Sequence, residues 1–253
     1  LIRFRTGQGM KTNSASRIHG IMSSWKSVKP DLPALSGWQQ VLSIESKNGT
    51  REFIRASERI HILVDEVDLL RDKLHMRGIS ASVYGPALMK LENALSPQLL
   101  VRQGVHVQQY LTDDVFTALA FCSEILPVEE DGISTEDFAD VVSVIHDLEL
   151  LLAENSMPSE LTALLRRHIR LAEMALASYP LRGASAIRDA VKAATGDIFL
   201  SESEVSSLPV EQRKTLSGLW RRMNSLADKA IKVDNLVQLT GRVATFLENL
   251  AND

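Results

Sequence analysis

The sequence predicts an all-α protein, a multi-helix bundle of about eight or nine helices with a long heptad-patterned helix at its C-terminal end. Three observations predict it. Apolar residues recur at spacings of three and four along nearly the whole chain, and sustained apolar–polar alternation is missing. Pro, Gly and Ser-led breaks divide the pattern into helix-sized pieces.

The elements follow in order. Ser14 or Ser16 caps a first helix carrying Ile18, Ile21, Met22 and Trp25, and Pro30 and Pro33 break the chain after it. A short helix follows Ser36 with Trp38, Val41 and Leu42 on one face, ending at Asn48-Gly49. From about Thr50 to Met76 a long helix bears Phe53, Ile60, Leu63, Val64, Val67, Leu70 and Leu74, and Gly78 stands where a left-handed stop belongs. The next helix, near 81–95, ends at Ser96-Pro97; another begins at about 105 or 113 and runs through Phe116, Leu119, Phe121 and Ile125 to Pro127. Ser134-Thr-Glu-Asp137 resembles a capping box and opens a helix through Phe138, Val141, Ile145, Leu148 and Leu152.

Pro158 suits the first turn of a helix through Leu161, Leu164, Leu165, Ile169, Ala172 and Leu176, which Pro180 is expected to stop. Arg182-Gly183 makes a tight corner into a short helix from Ala184 to Thr195, closed by Gly196. Between Pro209 and Leu250 no proline occurs. There Leu216, Leu219, Met223, Leu226, Ala230, Val233, Val237, Thr240, Ala244 and Leu247 form a heptad seam, with Leu236, Leu239, Val243, Phe246 and Leu250 beside it. Unbroken, that helix would be about 60 Å long, although Gly218 and Gly241 weaken its continuity. It either packs on its own domain or protrudes as a coiled coil, in which case residues 216–250 would join copies of the chain. The domain reading is a helical domain over 10–200 and the C-terminal helix over 209–251. Residues 1–9, ahead of Met10, read as an extension or cloning remnant.

With 45% hydrophobic and 24% charged residues in 253, the composition is globular and the length allows one large or two small domains. The single cysteine, Cys122, cannot form an internal disulfide; it lies on an apolar pattern with Leu119 and Leu126 and reads as a small core hydrophobe. A reducing cytoplasm fits that usage. No run of 18 apolar residues suggests a membrane span, and the N-terminal residues lack the apolar core of a signal peptide.

The net charge of −4 conceals segregation. Residues 1–30 carry six Lys or Arg and no acid, whereas 103–165 carry thirteen Asp or Glu and no Lys or Arg. Either this stretch docks on the basic helix that follows, with Arg166, Arg167 and Arg170, or it presents a surface that steers a basic protein partner. The candidate partner-binding residues are Glu129, Glu130, Asp131, Glu136, Asp137, Asp140, Asp147 and Glu149. Arg166, Arg167 and Arg170 share about one helical face and are candidates for phosphate contacts, but nucleic acid is not favoured: phosphates repel the acidic part, and aromatics at 5% offer no stacking platform.

Motifs that carry chemistry are sparse. Glu58-Arg-Ile-His61 has the spacing of one half of a di-iron carboxylate site, but such sites need two copies and further carboxylates, and His146-Asp-Leu-Glu149 runs in the reverse order. No metal or cofactor is therefore expected. No Walker loop, zincin motif, nucleophile elbow or dinucleotide fingerprint occurs. His19, His106 and His168 have no companion at a recognised spacing. Arg55-Ala-Ser-Glu-Arg-Ile-His61 resembles the Arg–His motif of the helical HEPN ribonucleases, with Ala56 departing from the polar residue usual there. That resemblance implies a ribonuclease in which Arg55 stabilises phosphate charge and His61 acts as general acid or base.

The Ser-rich start, Trp38 and the segment from Leu164-Leu-Arg-Arg-His-Ile-Arg through Tyr179-Pro-Leu-Arg-Gly183 to Arg188 also resemble uncharacterised bacterial all-helical proteins of mobile-element and anti-phage loci. The resemblance brings no activity with it. The function expected is non-enzymatic: a helical protein-interaction module acting as inhibitor, immunity-type component or adaptor in an antiviral-defence or toxin system. The alternatives are the ribonuclease and a nucleic-acid-associated regulator.

Overall fold

A computed structural model describes residues 12–44, 49–154 and 157–230. Among them the chain is helical throughout: α1 (Ser14–Ser24), α2 (Ala34–Val41), α3 (Gly49–Met76), α4 (Ala81–Ala94), α5 (Val105–Gln108), α6 (Asp113–Ile125), α7 (Thr135–Glu154), α8 (Ser159–Arg182), α9 (Ala184–Leu200), α10 (Glu202–Ser206) and α11 (Val210–Ala230). Short 3-10 turns lie at Trp25–Ser27 and Pro97–Val101, and Pro33 and Gln103 form an isolated bridge. The all-α prediction holds. Nine of the helices have eight residues or more, which matches the expected number.

Packing divides the chain into two compact units rather than one domain over 10–200. Residues 12–128 with Pro180–Arg182 form the first, and 129–179 with 183–230 form the second. Each has its own apolar core.

In the first unit α1 packs on α3 and α6, and α6 also on α4. The N-cap of α1 is Asn13 rather than Ser14 or Ser16: its side chain accepts the Ser16 backbone N–H, and Ser16 Oγ accepts the Asn13 N–H, a reciprocal box. Asn13 Nδ2 also donates to the Ser123 carbonyl at 2.9 Å, fixing α1 to the end of α6. Trp25 and Trp38 stack edge to face at 4.9 Å in the core. Cys122 is buried, and burial raises its thiol pKa, as a core hydrophobe requires.

The second unit centres on α11, which packs against α7 and α9. Leu216, Leu219, Met223, Leu226 and Ala230, the described half of the heptad seam, are all buried in this core. The seam up to Ala230 is thus covered by its own unit and cannot also join two copies; residues 231–251, with the rest of the seam and the second stripe, lie outside the described residues, as do residues 1–9.

Two expected stops fail for one reason. α8 continues through Pro180 to Arg182, and α9 continues through Gly196 to Leu200. Leu181 and Ile198 are buried just beyond those residues, and burying such a side chain is worth about 1.5–3 kcal/mol, which exceeds the cost of about 1 kcal/mol for a helical glycine and offsets much of the cost of about 3 kcal/mol for a helical proline. The actual end of α8 is Gly183, at φ 62° and ψ −151°.

Candidate functional site

The acids named from the sequence divide into three groups in the second unit. Glu130 is buried, and its carboxylate accepts the backbone N–H of Ala184, the first residue of α9. It satisfies a helix N-terminus, where an anion is favoured. As a surface partner-binding residue Glu130 is therefore corrected: its carboxylate is spent inside the fold. Glu129 and Asp131 are half-buried beside it, and the Asp131 backbone donates to the Ala230 carbonyl at 3.0 Å.

Asp137 belongs to the start of α7, as the sequence suggested. Ser134 Oγ accepts its N–H at 3.1 Å and donates to its carboxylate at 2.8 Å. Lys229 of α11 pairs with Asp137 at 2.6 Å, and this bond, followed by that from Ser134, holds the Asp137 pKa below the usual value. Glu136, Asp140 and Asp147 are exposed and make no ion pair among the described residues; Glu149, also exposed, meets only His146, at 3.8 Å.

At 100° per residue the exposed arc of α7 has a definite order. Ala139, Val142, His146, Leu150 and Ala153 form its centre, with Val142 and Leu150 each 46% exposed. Glu136, Asp140 and Asp147 lie along the edge nearer α11, and Glu149 lies along the opposite edge. There Glu173 of α8 has a raised pKa, first from burial and then from the negative charge of Glu149. The face is an apolar strip rimmed by carboxylates.

Beside the acidic edge lies an open groove of about 520 Å³, lined by Val144 and Asp147 of α7 and by Lys214, Thr215, Gly218, Arg221, Arg222 and Ser225 of α11. Lys214, Arg221 and Arg222 are exposed and make no ion pair among the described residues. Among the described residues a Cβ added at Gly218 would meet nothing within 4 Å, so their packing does not require glycine there. Sequence reasoning overlooked this basic face because Glu202, Glu204, Glu211 and Asp228 nearly balance the bases of 202–230 in the count; the run of Arg213, Lys214, Arg221 and Arg222 without an intervening acid was the available signal.

Arg166, Arg167 and Arg170 do share an exposed face of α8. They do not neutralise the α7 acids: Arg167 binds Asp197 of α9 at 2.7 Å. Behind it His168 is fully buried, 3.2 Å from Asp197 and edge-on to Trp220 at 5.7 Å. Neither ring nitrogen has a hydrogen-bond partner. Burial pulls its pKa down to about 4, with Asp197 opposing and Arg167 assisting, so the imidazole is neutral near pH 7. The unfolded chain, with its histidine near 6.5, binds the proton first as pH falls. Stability contributed by this group is therefore full above pH 6.5 and declines by about 3 kcal/mol as pH falls to 4. Urea unfolding across that range should show a flatter profile for His168→Gln; an unchanged slope would mean the imidazole is protonated in place.

Arg55 and His61 are both exposed on α3 in the first unit. Six residues of helix set them about 120° apart around its axis and about 9 Å along it, so one copy of the helix does not bring them to a common point. Among the described residues no three His, Cys, Asp or Glu side chains gather as metal ligands, and no helix is long and apolar enough to cross a membrane.

Fold and site together define an all-α protein of two compact units, the second carrying adjacent faces of opposite charge. No protein family, curated protein or solved structure matches the chain.

Proposed function

We propose that the protein is a non-enzymatic helical interaction module that binds a basic protein partner through the outward face of α7. One observation carries the reading: the strip of Val142, His146 and Leu150 is exposed between a row of carboxylates, Glu136, Asp140 and Asp147, on one edge and Glu149 on the other. An apolar centre inside a polar rim is the usual anatomy of a protein interface, and unneutralised acids speed encounter with a basic partner. The resemblance of residues 164–188 to helical proteins of anti-phage loci points the role towards an inhibitor, immunity-type component or adaptor acting in the cytoplasm.

The test is recovery of tagged protein from its native host. Wild type should bring down, in stoichiometric amount at low salt, a protein that presents a basic surface. The variant E136K/D140K/E149K should lose that protein at least about tenfold with its thermal unfolding unaltered, because all three side chains are exposed. Undiminished recovery by the variant overturns the reading.

A further inference from the structure

We infer that the surface fitting the α7 face is the basic face of α11 in a second copy of this chain, so that the second unit forms a two-fold symmetric dimer. The inference rests on the reading of α7 as an interaction face and names its partner.

The argument begins with the arrangement of the two helices. α7 and α11 lie side by side and antiparallel, since Asp137 at the start of α7 pairs with Lys229 near the end of α11, while Asp147 shares the groove with Lys214, Arg221 and Arg222. Their outward faces have opposite charge. A two-fold axis parallel to both helices places α7 of each copy over α11 of the other. Such an axis preserves height along the helices. Asp147, which shares the groove with the cation row within one copy, therefore lies level with the same row in the other, with Asp140 about two turns nearer the Lys229 end. Because a two-fold interface is self-complementary, the pairing occurs twice.

The centre of the α11 face also suits an approaching helix. Gly218 and Ser225, one heptad apart, lie between Lys214 and Arg221 on one side and Arg222 on the other. Glycine within a helix costs about 1 kcal/mol relative to alanine, and among the described residues nothing fills the space above Gly218. Leu150 or Val142 of a facing α7 is the kind of side chain such a gap receives.

Size sets the expected strength. Each helix is about 30 Å long and the pair about 20 Å wide, so the dimer would bury about 1,200 Å² in total, at the low end for a specific interface. The dimer should be concentration-dependent and weakened by salt.

Sedimentation equilibrium of the full chain over a concentration series tests this. Wild type should dimerise, with at least about tenfold weaker association at high salt. D140K/D147K sets two cations of α7 against the cation row and R221E/R222E sets two carboxylates of α11 against the acidic edge, so each variant alone should be monomeric. Mixed in equal amounts they should form a heterodimer, because each face then meets its opposite. Circular dichroism melts of each variant establish that it is folded. A monomeric wild type, a dimer indifferent to both variants, or folded variants that fail to pair when mixed would each overturn the inference. A monomer that still captures a basic protein through α7 would do so while leaving the α7 reading intact; a wild-type dimer whose partner binding ignores E136K/D140K/E149K would overturn that reading alone.

Discussion

Gly183→Ala should destabilise the second unit by about 3–5 kcal/mol, the largest effect expected of a methyl group added at any of the described glycines. Two costs combine. At φ 62° and ψ −151° the backbone lies in a region held almost exclusively by glycine. The added Cβ would also overlap the Glu130 carboxylate. That carboxylate is buried and accepts from Ala184 N–H, so displacing it strands both an anion and a donor. Glu130→Ala removes the anion but leaves the donor unsatisfied, a loss of about 2–3 kcal/mol; Glu130→Gln retains an acceptor and should lose about 1 kcal/mol. Urea unfolding monitored by circular dichroism checks the order Gly183→Ala, then Glu130→Ala, then Glu130→Gln. A Gly183→Ala loss below about 1 kcal/mol would show that the corner can relax.

Glu66→Ala should cost the first unit about 3–5 kcal/mol. Arg17 Nη2 lies 3.1 Å from Glu66 Oε2, with the two side chains only 9% and 4% exposed, and Arg17 Nε donates to the Leu181 carbonyl at 3.3 Å. Removing the carboxylate leaves a guanidinium in a space that excludes water, without the charge that offset its desolvation. Replacing both partners by apolar residues of similar volume, Arg17→Met with Glu66→Leu, should restore most of the loss, because the pair gains little over a well-packed apolar contact. The double-mutant cycle checks this in thermal or urea unfolding. A double variant as unstable as the sum of the single ones would mean that Arg17 acts through Leu181 and not through Glu66.

Helix identity was legible because it depends on local spacing. The stripe Ile60, Leu63, Val67, Leu70, Leu74 on α3 is buried as predicted, and Ser134 caps α7. Phe53, placed on the same α3 stripe, is instead 38% exposed near the start of the helix. The acidic stretch was visible as composition but not as surface. Asp114 turned out to pair with Lys90 at 2.9 Å in the first unit, Asp137 with Lys229 and Glu130 with the start of α9, all of them partners distant in sequence or set by chain direction.

By itself the sequence determined that this is a helical protein with its one cysteine on an apolar helix face and a concentration of acids between residues 103 and 165. Period, capping and charge count are properties of neighbouring residues, and helices form from neighbours. Only the tertiary structure decided that the core divides at residue 128, that the heptad seam up to Ala230 faces inward, that His168 is a neutral core imidazole, and that Lys214, Arg221 and Arg222 lie beside the acidic edge of α7. Burial and charge pairing join residues far apart in the chain, as Lys229 with Asp137 and Arg17 with Leu181, and which helix supplies the partner is fixed by packing of whole apolar faces.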